Sequence, residues 1–76
     1  MKVKEAIEGI IKANKLTKTS IGNAEGLSPQ TITNRLNRSA SMSVENASQL
    51  FSGCGYKLVA VPRGEKVKDG WYEVTE

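Results

Sequence analysis

Gln30, Thr33, Asn34 and Asn37 recur at i, i+3, i+4 and i+7, a spacing that sets four uncharged hydrogen-bonding side chains along one face of a helix. The chemistry open to such a face is recognition. An Asn or Gln amide presents a donor and an acceptor side by side and can pair with N6 and N7 of adenine, while a Thr methyl can rest on the thymine methyl. A face serving solvation alone would more often carry Glu and Lys, the stronger helix formers. Arg35 and Arg38 fall on its flank, where a guanidinium can reach a phosphate. No bond-making chemistry competes. The chain has no histidine and one cysteine, Cys54, which excludes histidine-based triads, intramolecular disulfides and the usual zinc-ligand sets. No carboxylate pair, no nucleophile beside a base and no glycine-rich phosphate loop is visible, so neither enzyme activity nor a cofactor is expected. Cys54, between Gly53 and Gly55, reads as a small half-buried thiol.

That face needs a helix with a defined start and a partner to lean on. Ser28 is a good N-cap and Pro29 a good first residue, because proline's missing N–H is not needed there. From Pro29 onward Ile32 and Leu36 share the opposite face and belong in the core, with Leu27 supporting them from the preceding turn. Gly26 stands where an earlier helix must stop and reverse, a place for the left-handed conformation. Gly22 lies one helical turn before it, where a missing side chain would let two helices approach closely. Thr17 can cap that earlier helix, whose first turn carries Lys18 and Thr19.

Two short helices joined by a glycine turn are the layout of a helix-turn-helix. The stretch Leu16 to Gly22, followed by Gly26-Leu27-Ser28-Pro29-Gln30-Thr31-Ile32-Thr33-Asn34-Arg35-Leu36-Asn37, resembles the Cro/C1-type helix-turn-helix family of phage repressors and xenobiotic-response-element-like bacterial regulators. The similarity extends more weakly from about Met1 to Val61. Gly22 departs from that family's usual Ala, Glu25 from its apolar residue, Pro29 from a polar one, and Arg38 from a closing Gly. A carboxylate at Glu25 must reach solvent or pair with a neighbour such as Arg35. The resemblance implies that Lys18 and Thr19 contact phosphate and that Gln30, Thr31, Thr33 and Asn34 face base edges or the backbone beside them. With Ser28, Arg35 and Arg38 these make up the candidate DNA-binding residues.

Around the motif, Val3, Ile7, Ile10 and Ile11 recur at helical spacing between Lys2 and Asn14, predicting an amphipathic first helix. Asn37 to Met42 reads as a loop whose Arg38 and hydroxyls could follow a DNA strand. Ser43 is a plausible cap for a fourth helix with Val44, Ala47, Leu50 and Phe51 facing inward, ended by Gly53 and Gly55. The period then changes. Tyr56 to Val61 and Gly70 to Thr75 are rich in β-formers and flank a turn-prone segment from Pro62, which predicts a two-stranded hairpin. Such a hairpin is marginal alone and must pack on the helices or pair with another chain. Trp71 and Tyr72 would cover the core or build an interface.

The expected fold is mainly α: one domain spanning residues 1–76, with a four-helix lambda-repressor-like part (1–55) and a C-terminal β-hairpin (56–76). A chain of 76 residues buries only about 60% of its unfolded surface, so a second subunit is an obvious supplement. Residues 1–40 hold seven Lys or Arg against three Glu, whereas 41–76 hold four against five acids, so the basic surplus sits with the motif. The function expected is a sequence-specific, double-stranded DNA-binding regulator, a small phage or bacterial repressor that inserts the helix beginning at Pro29 into the major groove. It would act as a homodimer on a palindromic operator, because one short helix reads few base pairs. No apolar run approaches the roughly 20 residues of a membrane span and no signal-peptide core is apparent, so the bacterial cytoplasm is expected, with no membrane partner. The rival expectation is a phage or mobile-element protein that uses the same scaffold to bind another protein, as an inhibitor or antitoxin. Its mark would be an exposed apolar patch around Trp71 and Tyr72 with no positive face near Gln30.

Overall fold

The computed structural model describes residues 1–38 and 42–75. It contains four helices: α1 (Val3–Asn14), α2 (Lys18–Glu25), α3 (Pro29–Asn37) and α4 (Val44–Gly53). Part of the predicted loop between Asn37 and Met42, residues 39–41, lies outside the described residues.

Local signals explain where α2, α3 and α4 begin. The Thr17 hydroxyl accepts from Ser20 N at 3.0 Å while Ser20 Oγ accepts from Thr17 N at 3.1 Å, a reciprocal cap on α2. Ser28 Oγ accepts from Thr31 N at 3.2 Å at the start of α3, and Ser43 Oγ accepts from Asn46 N at 3.1 Å at the start of α4. Each satisfies a helix N–H that has no intrahelical partner. Ser28→Ala is therefore expected to cost about 1 kcal/mol of stability, readable as a shift of the urea midpoint at constant slope.

The amphipathic stripes meet in one core. Ala6, Ile7 and Ile10 of α1, Ile21 of α2, Ile32 and Leu36 of α3, and Ala47, Leu50 and Phe51 of α4 are all buried together. Helices α2 and α3 are locked by the turn between them. Gly26 takes the left-handed conformation at φ 70°, and Leu27 N donates back to Gly22 O at 2.7 Å. A Cβ at Gly22 would collide with the Leu27 carbonyl oxygen. The close approach expected at Gly22 thus exists, but against the turn's own backbone.

Gly53 is the last residue of α4, where the sequence places the end of the helix, and it has a second role. A Cβ there would come within 2.7 Å of Ile21 Cγ2 and 3.0 Å of Ile21 O, so this glycine lets α2 and α4 pack against each other. Gly55, at φ 83°, is the residue that turns the chain away.

The predicted β-hairpin does not form: among the described residues there is no strand. Two reasons are visible. The intervening segment turns twice rather than once, with Glu65 N donating to Pro62 O at 3.2 Å and Trp71 N to Lys68 O at 3.0 Å. Both turns carry a positive-φ glycine in third place, Gly64 at 98° and Gly70 at 85°, with no positive φ at the residue before. That is the type II arrangement, which splays the flanking chains instead of matching strand twist. The second run is also claimed elsewhere. The Met1 amine donates to Glu73 O at 2.9 Å and Thr75 N donates to Met1 O at 2.9 Å, so the backbone of this run pairs with the start of the chain. Its side chains still alternate, with Tyr72 and Val74 packed against the core and Trp71 exposed. The Tyr72 ring lies against Gly9 of α1 and meets Tyr56 edge-on, centroids 6.0 Å apart.

Candidate nucleic-acid interface

Helix α3 buries Ile32 and Leu36 and turns Gln30 and Asn34 to solvent. Gln30 Nε2 donates to Asn34 Oδ1 at 3.1 Å across one helical turn. Among the described residues this bond leaves Gln30 Oε1 as an open acceptor and Asn34 Nδ2 as an open donor beside it. The pair presents together the acceptor and donor that an adenine edge would require.

Lys18, from the first turn of α2, donates from Nζ to Thr33 Oγ1 at 3.3 Å. The contact brings a cation from one helix onto the face of the other. The amide pair and the positive charge are thus neighbours in space although separated in sequence. The side chain of Thr19 is exposed, and the backbone N–H groups of Lys18 and Thr19 have no acceptor among the described residues. They open the N-terminal end of α2 to an anion.

Other expected residues are committed to the scaffold. Ser28 is the α3 cap, and its hydroxyl lies 2.9 Å from that of half-buried Thr31. Arg35 is half-buried, with Nη1 donating to Gln49 Oε1 on α4 at 2.6 Å. This bond ties α3 to α4 and leaves Arg35 other N–H groups for a phosphate. Arg38 is exposed at the end of α3, where its backbone N–H caps the helix through the Asn34 and Arg35 carbonyls at 3.2 Å. Glu25 does not pair with Arg35. Its Oε2 accepts from Ser52 Oγ of α4 at 3.2 Å, which satisfies a half-buried carboxylate where an apolar residue was expected.

Beside the amide pair, Thr31, Asn34, Arg35 and Arg38 line a shallow depression of ≈ 340 Å³ with Met42 and Asn46. Asn46 was not singled out in the sequence. Its position in the first turn of α4 carries no signal that it borders α3, since only the packing of the two helices brings it there. Gln49, the partner of Arg35, was overlooked for the same reason.

Among the described residues, no group of three His, Cys, Asp or Glu side chains could hold a metal ion, and no helix is long and apolar enough to cross a membrane. Cys54 is buried, and desolvation pushes its thiol above the usual cysteine range. Comparison with protein-family models, with curated proteins and with solved structures yields no match.

Proposed function

We propose that this chain is a sequence-specific double-stranded DNA-binding regulator of the Cro/C1 helix-turn-helix type, acting as a small phage or bacterial repressor in the cytoplasm. The observation that carries the reading is the exposed Gln30 and Asn34 amide pair on α3, with Lys18 of α2 held beside it. Helix α3 enters the major groove. Gln30 and Asn34 read base edges, Thr33 lies next to them, and Lys18, Thr19, Arg35 and Arg38 position the domain on phosphates. Two copies occupy a palindrome, and repression follows from covering the promoter.

Selection of bound sequences from a random duplex pool tests this. The expected enriched site is an inverted repeat, and Gln30→Ala is expected to weaken binding to it by about 1–3 kcal/mol while relaxing preference at particular base pairs. Lys18→Ala should behave differently. If Lys18 neutralises one phosphate per subunit, its loss flattens the slope of log K against log salt by about 0.9 per contact, or about two units for a dimer, without changing the preferred sequence. A folded protein that binds no duplex at low salt would refute the reading. A second reading, docking to another protein, is favoured by the exposed apolar residues Val59, Val61 and Trp71, although these belong to the C-terminal segment and not to α3.

A further inference from the structure

Arg35 is half-buried, and the one polar partner of its side chain among the described residues is Gln49 of α4, whose Oε1 accepts from Nη1 at 2.6 Å. Gln49 and Asn46 are both half-buried and lie three residues apart, so they share the flank of α4 beside its buried Ala47 and Leu50. Arg35 and Asn46 line the shallow depression between the two helices, together with Asn34 and Arg38, whereas Gln49 does not. Gln49 therefore holds one edge of the guanidinium from the scaffold and leaves its other N–H groups for an acceptor that enters the depression.

An arginine side chain is long and rich in rotamers, and ordering it on binding weakens a complex; a guanidinium already fixed in the free protein loses less. The residue type that does the fixing matters as well. A carboxylate would hold the guanidinium more strongly but cancel its charge, whereas the Gln49 amide is neutral and leaves the full positive charge to act on an anion. We propose that Gln49 is a positioning residue for DNA: a neutral acceptor that presets the Arg35 guanidinium, with its charge intact, against a backbone phosphate of the duplex that Gln30 and Asn34 read. The inference rests on the proposed reading by α3 and adds to it a residue that never touches the nucleic acid. A purely structural role, a tie between α3 and α4, has the opposite preference, because a carboxylate at position 49 makes the stronger tie.

Two variants of the full chain separate these roles. Gln49→Glu keeps the acceptor oxygen, and its urea midpoint is expected to equal or exceed that of wild type. Its affinity for the duplex selected by wild type is expected to fall about 10- to 100-fold, the worth of a hydrogen bond to a charged group. The slope of log K against log salt should flatten by about 0.9 per subunit, as if the phosphate contact itself were removed, with the preferred sequence unchanged. Gln49→Met keeps the length of the side chain and removes the acceptor. It is expected to lower the urea midpoint yet reduce affinity less, about 3- to 10-fold, the cost of ordering one long side chain on binding, and to keep the wild-type slope because Arg35 retains its charge. Gln49→Glu is thus the more stable variant and the weaker binder. Affinity that follows stability across the three proteins, or a Gln49→Glu variant with the wild-type slope, overturns the assignment of Gln49 while the reading of α3 stands. A folded wild type that binds no duplex at low salt overturns both.

Discussion

Gly22→Ala is expected to lower the melting temperature by about 12–24 °C, the consequence of about 3 kcal/mol of overpacking in a domain this small. The added methyl would overlap the Leu27 carbonyl oxygen and come within 3.2 Å of its carbon. Leu27 has little room to retreat. Its N–H is bonded to Gly22 O at 2.7 Å and its side chain packs against the core. Roughly 4–11 kcal/mol is the whole stability expected of 76 residues, so the loss is a large part of the total. Gly26→Ala is the informative comparison. No atom lies within 4 Å of a Cβ there, and the cost comes only from holding φ at 70°, about 1–2 kcal/mol. Gly26→Asn should recover part of that because asparagine tolerates the left-handed region, whereas no side chain rescues position 22. Thermal melts of the three variants by circular dichroism check this, and a Gly22→Ala melt within a few degrees of wild type would show that the turn is looser than described.

Asn34→Asp is expected to reduce affinity for the selected duplex by about two orders of magnitude without changing stability. The substitution preserves shape, and an aspartate Oδ can still accept from Gln30 Nε2, so the helix surface is undisturbed. What changes is the open Nδ2 donor, which becomes an acceptor bearing charge. Losing the pairing with a base edge accounts for about 1–3 kcal/mol, at 1.4 kcal/mol per tenfold change, and repulsion from nearby phosphates adds to it. Titration of a labelled duplex at fixed salt, with a chemical denaturation curve on the same sample, separates the two effects. Equal affinity and equal sequence preference in the variant would show that α3 is not the reading helix. Equal weakening on specific and random DNA would assign Asn34 to phosphate positioning instead.

Helix limits were open to sequence reading because their causes are local. Thr17, Ser28 and Ser43 bond to N–H groups three residues away, Pro29 needs only its own ring, and Gly26 needs only its own φ. The buried stripe of α3 and its opposite amide face follow from a period that any isolated helix would show. What sequence could not determine depends on residues that approach from afar. Gly53 reads only as a stop until Ile21 is seen against it, Arg35 only as a phosphate ligand until Gln49 also accepts from it, and Glu25 as a misplaced carboxylate until Ser52 donates to it. The C-terminal segment shows the difference most plainly. Tyr56 to Val61 has the composition of a strand, yet strand propensity expresses packing and pairing with a neighbour rather than a preference of the backbone alone. Tertiary structure gave the Glu73 and Thr75 backbone to Met1 and laid Tyr72 on Gly9, and among the described residues the backbone of residues 57–61 has no hydrogen-bond partner.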